Sequence, residues 1–242
     1  MQQLASARRL IAPSAAAASV FAAAGVARKR IEVCPNGIDA AGLCAEVNSA
    51  RLPRIGGLRL GVLGTVQPSK GVLELARAFI RAVAGNMTLE IHGALPSYHG
   101  DGSYVDALME LTVAEPRIRV HGAYTRDKLP SVLAGLDLVA APSRWEEVFG
   151  LGVREARAVG LPVLVSTRGG LPELVTDGGG MVIDSEREGA WTAAIEAFAA
   201  DSTRFGQAPA VVRSTREMVD QLELAYDEVT AGGVNTAAYD GG

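Results

Sequence analysis

Two glutamates, Glu147 and Glu155, bracket the turn Phe149-Gly150-Leu151-Gly152 in a stretch that reads PSRWEEVFGLGVREARAVGLPVLVSTRGGLPE from 142 to 173. Pro142 closes an apolar strand, LDLVAA, and a helix is predicted to open at about Gly150. The first backbone N–H groups of such a helix have no partner within it, so together with the helix dipole they favour an anion such as a phosphate. Glu155 lies about five residues, or ~7 to 8 Å, down the axis from Gly150. It shares a face with Leu151, Gly152 and Val159, which turns its carboxylate toward packed surface. Carboxylates in these places suit accepting hydrogen bonds from sugar or ribose hydroxyls. The structural alternative makes Glu147 a dipole partner of the helix start and Glu155 an ion-pair residue to Arg154 or Arg157.

Two further glycine-rich turns carry candidate groups. Gly64-Thr65-Val66-Gln67-Pro68-Ser69-Lys70-Gly71 follows the strand LRLGVLG and sets Lys70 just before a helix. There it is either a cation for a bound anion or a solvated surface lysine. Arg168-Gly169-Gly170-Leu171-Pro172-Glu173 follows the strand PVLVS. Turns of this kind beyond the C-terminal ends of neighbouring strands lie at the edge where open α/β sheets bind ligands. His92, His99 and His121 do not cluster in sequence. His92 and His121 close strands, so core or rim positions are the default for them. No acidic triplet suggests a metal.

The elements that position these groups alternate regularly from Leu58 onward. LRLGVLG precedes the helix VLELARAFIRAV, with Val72, Leu75, Ala76, Phe79 and Val83 on one face. MTLEIHG is the next strand, and a loop from 94 to 103 leads to a helix near 104–113. RIRVHG, a short helix over about 126–134, LDLVAA and PVLVS follow, then MVID as a last short strand and AWTAAIEAFAA as a helix. This alternation predicts an α/β fold with a doubly wound parallel sheet. Before it, residues 9–39 read as strand, alanine-rich helix and strand, a βαβ unit too small to bury both faces of its strands. Its paired arginines and small residues also resemble an export signal, but Ser14 as an N-cap and Gly25 as a terminator favour a structural helix. Residues 41–56, with Pro53 and Gly56, fit a linker. Met218, Leu222, Ala225, Tyr226 and Val229 make a late amphipathic helix, and the end from Thr230 looks frayed.

The chain has 242 residues, of which 48% are apolar, enough for a substantial core. A formal charge of −4 supplies no basic footprint for nucleic acid. Cys34 and Cys44 suggest neither a zinc site nor a disulfide framework, and no segment approaches the length of a membrane span. The expected location is the cytoplasm, free or peripheral at the inner membrane face.

Glu147-Val148-Phe149-Gly150, Glu155-Ala156, Gly160-Leu161-Pro162-Val163 and Gly169-Gly170-Leu171-Pro172-Glu173 together resemble the donor-binding half of the retaining glycosyltransferases of family 4, which have the GT-B fold. Two glutamates separated by seven residues are that family's signature, flanked here by Pro142, Ser143 and Trp145. The resemblance spans residues 11–182. It implies that Glu147 contacts donor-sugar hydroxyls near the reacting carbon, that Glu155 holds the ribose hydroxyls, and that amides around Phe149, Gly150 and Leu151 bind sugar and diphosphate. Lys70 matches the lysine that neutralises the diphosphate leaving group, with Gly64 and Thr65 in the same loop. Backbone at Gly122-Ala123-Tyr124 would contact the base, and neither cofactor nor metal is called for.

Two departures stand out. Thr65 replaces the arginine usual after Gly64, a missing cation for which Arg168 is a candidate substitute, and Gly93-Ala94-Leu95-Pro96 lacks a further glycine. By the resemblance, residues 1–40 are a remnant of the acceptor-side domain, 41–56 the linker, 57–212 the nucleotide-sugar domain, and 213–242 a helix and tail that cross back to the acceptor side. The implied partners are a nucleotide diphosphate sugar, an acceptor glycan or lipid-linked saccharide, and a missing Rossmann-like half or second chain. The competing reading is a non-catalytic nucleotide-sugar-binding module, or one subunit of a split transferase. A dinucleotide-binding dehydrogenase is disfavoured because GVLGTVQPSKG does not give G-x-G-x-x-G.

Overall fold

The computed structural model describes residues 7–51, 56–175, 178–206 and 208–231. Two compact units divide between 38 and 39 and between 212 and 213.

The larger unit holds six strands: β3 (Arg59–Leu63), β4 (Thr88–His92), β5 (Ile118–Gly122), β6 (Leu138–Ala141), β7 (Val163–Ser166) and β8 (Gly180–Ile183). They pair in parallel in the order β5-β4-β3-β6-β7-β8. From β3 the chain steps outward through β4 to β5, returns to the other side of β3 at β6, and steps outward again. The winding therefore reverses between β3 and β6, and the loops leaving those two strands diverge around a crevice.

Side chains on the inner strands alternate between two apolar layers, as the two-residue period of a strand requires. Leu60 and Val62 of β3, Leu138 and Ala140 of β6 and Leu164 of β7 join one layer. It includes α3 (Val72–Arg81), α4 (Ser103–Ala114) and α7 (Ala190–Ala200). Val139, Val163 and Val165 enter the other, against α5 (Leu129–Ala134) and α6 (Leu151–Ala158). Helix α3 buries Val72, Leu75, Ala76 and Phe79 as the spacing predicts, but ends at Arg81. Val83 lies past the end and is 85% exposed.

The first part of the 41–56 segment differs from the linker expected there. Ala40–Ala50 form a helix, α2, capped by Asp39, whose carboxylate accepts from the Gly42 N–H at 2.9 Å. Leu43 and Val47, four residues apart, bury themselves in the second apolar layer, and the Cys44 Sγ donates to the Ala158 carbonyl at 3.0 Å. An apolar stripe of two residues among alanines and polar groups is too thin to register as periodicity, and tertiary packing sustains the helix. Pro53 lies outside the described residues.

In the smaller unit, β1 (Leu10–Ala12) pairs in parallel with β2 (Ile31–Val33), and α1 (Ala15–Ala23) connects them. Ser14 caps α1 by accepting from the Ala17 N–H at 3.0 Å, so the alanine run belongs to a βαβ unit with Ala12, Ala18, Val26 and Ile31 at its centre. Helix α8 (Thr215–Ala231) docks on it. Gln221 donates to Glu32 and to the Val33 carbonyl, Arg8 donates to the Val229 carbonyl at 2.6 Å, and Arg9 pairs with Glu228. A Cβ on Gly37 would stand 2.3 Å from the Ser214 carbonyl oxygen, which explains the glycine where the two chain segments meet. Thr230 and Ala231 end α8, and the rest of the tail expected to fray lies outside the described residues. Cys34 and Cys44 are both free thiols. Among the described residues no helix is long and apolar enough to cross a membrane.

Candidate functional site

Backbone contacts between three loops build the crevice. After β3, Gly64 adopts φ 120° and its N–H donates to the His92 carbonyl at 2.9 Å. A 3₁₀ turn over Pro68–Lys70 then aims Lys70 inward. Gly71 follows at φ 66°, where a Cβ would meet the Pro142 carbonyl oxygen at 2.2 Å. The loop after β6 is stitched to this turn, because the N–H groups of Arg144 and Trp145 both donate to the Ser69 carbonyl, at 2.8 and 3.2 Å. The loop after β7 closes on the same place. Gly170 N–H donates to the Glu147 carbonyl at 2.7 Å, and Gly169 N–H to the Glu146 carboxylate at 2.6 Å.

The result is a cleft of about 300 Å³ whose lining includes Gly64, Thr65, Lys70, Ser143, Glu147, Gly150, Leu151 and Gly152. Lys70 forms an ion pair with Glu147, whose carboxylate also accepts from the Ser143 hydroxyl. Gly150 starts α6 in the left-handed conformation at φ 79°, and among the described residues no side chain caps that helix. A cation, a carboxylate and the amides of a helix start thus face one cavity, which suits a ligand carrying both phosphate and hydroxyl groups.

Glu155 stands deeper and does not line this cleft. It is 4% exposed and accepts from Arg126, not from Arg154 or Arg157. Burial pushes its pKa up, and the Arg126 hydrogen bond and charge oppose that rise. Tyr124 is nearby, its hydroxyl pKa raised by burial and then by the Glu155 charge. Arg154 lies over the Phe149 ring at 5.2 Å, while the buried Arg157 donates to the carbonyls of Leu161, Gly206 and Ala208. Phe149 is buried and does not line the cleft.

Beyond Tyr124 the two strand-closing histidines come together. His92 and His121 stack with ring centroids 4.2 Å apart, and Tyr124 meets His92 edge-on at 6.4 Å. Burial, then the neighbouring His121, pushes the His92 pKa down to about 4. His121 pairs with the buried Glu90 at 2.7 Å. Burial raises the Glu90 pKa, yet hydrogen bonds from Thr88 and His121 and the charge of Arg119 outweigh it and leave the net value lowered. Among the described residues no group of His, Cys, Asp and Glu side chains is placed to hold a metal ion.

Of the residues singled out from sequence, Gly64, Thr65, Lys70, Glu147, Gly150 and Leu151 share the cleft. Glu155 and Tyr124 form a neighbouring group with Arg126. Arg168, the candidate replacement for the cation absent at Thr65, is held instead by Glu146 at 3.4 Å and by Glu186, outside the cleft lining. Arg126 is the residue that sequence reasoning missed. It sits 29 positions before Glu155, in the turn that leads into α5 while Glu155 lies inside α6, and no local pattern joins the two.

A family model described as glycosyl transferases group 1 matches residues 57–201. The chain is 34% identical over 214 residues to a D-inositol 3-phosphate glycosyltransferase of Mycolicibacterium gilvum, covering 84% of this chain and 47% of that protein. It is 33% identical over 198 residues to the protein of the same name from Salinispora tropica, covering 72% and 40%. The crystal structure of Anabaena HepE in complex with UDP has this fold, with a TM-score of 0.79 at 24% identity over 92% of this chain and 64% of that one. The chain spans less than half the length of the two D-inositol 3-phosphate glycosyltransferases.

Proposed function

Because this chain belongs to the group 1 glycosyl transferases, we propose that it is the donor-binding portion of a retaining, family 4 transferase that moves a sugar from a nucleotide diphosphate sugar to a hydroxyl acceptor. The observation that carries the reading is the Lys70–Glu147 pair in the cleft that α6 opens onto. In this reading the amides of Gly150 and Leu151 receive the diphosphate. Lys70 neutralises the charge that develops as the diphosphate departs, which lowers the barrier electrostatically without a metal. Glu147 accepts from donor-sugar hydroxyls beside the reacting carbon. Glu155 accepts from the ribose hydroxyls once Arg126 gives up its place on the carboxylate, and backbone near Tyr124 meets the base.

Attack comes from the face that the leaving group vacates. The acceptor hydroxyl forms the new bond to the sugar carbon as the carbon–phosphate-oxygen bond breaks, and the departing phosphate oxygen takes the hydroxyl proton. The acceptor, a glycan or lipid-linked saccharide, is expected on a Rossmann-like half that the remaining polypeptide or a second chain supplies. The cytoplasm, free or at the inner membrane face, is the expected location, in keeping with two free thiols.

Thr65 in the cleft, where the resemblance expects arginine, supports a second reading as a nucleotide-sugar-binding module without turnover of its own. Calorimetric titration with UDP and GDP and their sugars tests the shared core of both. Glu155→Ala and Lys70→Ala should weaken binding. If no nucleotide binds, or the variants bind as the parent does, the site assignment is wrong. Transfer by the chain supplied with a Rossmann-like acceptor-side half then separates enzyme from module.

A further inference from the structure

Both tryptophans of the chain, Trp145 and Trp191, line a second hollow, of about 400 Å³. Its lining shares only Pro142 with that of the cleft already described. The wall between them is the stitched backbone in which Arg144 and Trp145 donate to the Ser69 carbonyl. Trp191 is 9% exposed and belongs to the core, while Trp145 is 67% exposed, an unusual position for the largest apolar side chain.

The charged groups of the lining come as opposite-charge pairs, beside Ser69 and Ser185. Arg144 pairs with Glu74 at 2.8 Å, and Arg168 pairs with Glu186. The Tyr104 hydroxyl donates to the other oxygen of Glu74 at 2.8 Å and so fixes that carboxylate. Two guanidinium groups and two carboxylates leave the hollow without net charge, so it does not select an anion as the first cleft does. A concave site of this size is in the range for small ligands. An aromatic face beside fixed carboxylates and guanidiniums matches a pyranose, whose C–H groups meet the negative indole face and whose hydroxyls both donate and accept. A protein-docking face would instead centre on apolar side chains with few charges.

We propose that this hollow binds a neutral saccharide unit stacked on Trp145, with its hydroxyls on the Arg144–Glu74 and Arg168–Glu186 pairs. The further statement that this saccharide is part of the acceptor rests on the transferase reading. Trp145 lies two residues before Glu147, so a sugar held there adjoins the loop that carries the reacting-side carboxylate.

The chain has no tryptophan elsewhere, so its indole emission reports on this hollow directly. We would titrate it with maltose, lactose and diacetylchitobiose, with glycerol at matched osmolarity as the control. At least one sugar should change the emission saturably while glycerol does not. Glu186→Gln should weaken that sugar by several-fold and Trp145→Ala, read by saturation-transfer NMR, by about tenfold or more. Circular dichroism should show both variants folded, since both side chains are exposed. UDP affinity, measured in parallel, should be unchanged by Trp145→Ala and reduced by Lys70→Ala. No emission change beyond glycerol with any of the three sugars, or full binding by Trp145→Ala, overturns the proposal. Sugar binding without UDP binding would leave this site standing and remove the donor reading; UDP binding without sugar binding would do the reverse.

Discussion

Lys70 and Glu147, 77 positions apart in the chain, form an ion pair in the wall of the cleft between β3 and β6. The pair holds the cation against a carboxylate, so a bound diphosphate must compete for the ammonium group. Lys70→Ala should weaken UDP by about 10- to 150-fold, the worth of a charge-assisted hydrogen bond of roughly 1.5–3 kcal/mol. Glu147→Gln, which frees Lys70, should leave UDP affinity equal or tighter while abolishing most transfer by the assembled enzyme. Isothermal calorimetry on both variants checks the pair, and a Glu147→Gln that loses UDP binding would contradict the assignment of roles.

Arg126 sits on the buried Glu155 and opposes the upward push of burial on its pKa. Without the guanidinium, the Glu155 carboxyl takes up its proton at higher pH. UDP affinity of Arg126→Ala should therefore fall more steeply between pH 7.5 and pH 5.5 than that of the parent. Parallel titrations at the two pH values measure this, and equal slopes would separate Arg126 from the nucleotide-binding role proposed for Glu155.

His92 is depressed to about 4 from an unperturbed 6.5. The unfolded chain then binds more protons than the folded one between those values, so stability rises with pH across the window and is lost as pH falls from about 6.5 toward 4. Melting temperatures at pH 7 and pH 5 should differ less in His92→Phe than in the parent. Glu90, with its lowered pKa, adds acid sensitivity mainly below 4.5 that the variant retains.

Gly169 has φ 58°, and a Cβ there would lie 2.1 Å from the Glu147 carbonyl oxygen. Gly169→Ala should cost at least about 1–2 kcal/mol from its backbone alone, and by pushing on the Glu147 backbone it should also shift the Gly150 and Leu151 amides that receive the diphosphate and so weaken UDP. Gly178 has φ 75° with nothing within 4 Å of a built Cβ, so Gly178→Ala should show the backbone cost without the binding loss. Thermal melts and UDP titration of the two variants make the comparison.

Leu43 on α2 is buried in the second apolar layer. Leu43→Ala should destabilise by about 2–5 kcal/mol in chemical denaturation with UDP affinity unchanged under native conditions. An exposed linker would lose almost nothing.

Strands β3 to β8 and the helices between them were legible because apolar runs alternate regularly along the chain and several of them, such as those of β3, β4, β5 and β6, run directly into glycine or proline. The helix α2 was not, because Leu43 and Val47 are a meaningful stripe only when α5 and α6 are there to cover them. The same contrast runs through the site. Lys70 and Glu147 were visible as charged residues in glycine-rich turns at strand ends. That Arg126 rather than Arg154 or Arg157 reaches Glu155, that Arg168 is taken by Glu146 and Glu186, and that His92 stacks on His121 had no local signature.

By itself the sequence determined the alternation of elements, the glycine turns and the helix start with its two glutamates, because these follow from local periodicity and backbone conformation. Tertiary structure decided which loops touch. The order β5-β4-β3-β6-β7-β8 sets the loops after β3 and β6 side by side at the point where the winding reverses, and so puts a lysine and a glutamate 77 residues apart on one ligand-sized cavity. Contacts between residues so distant depend on how the sheet is ordered, which no local stretch of chain encodes.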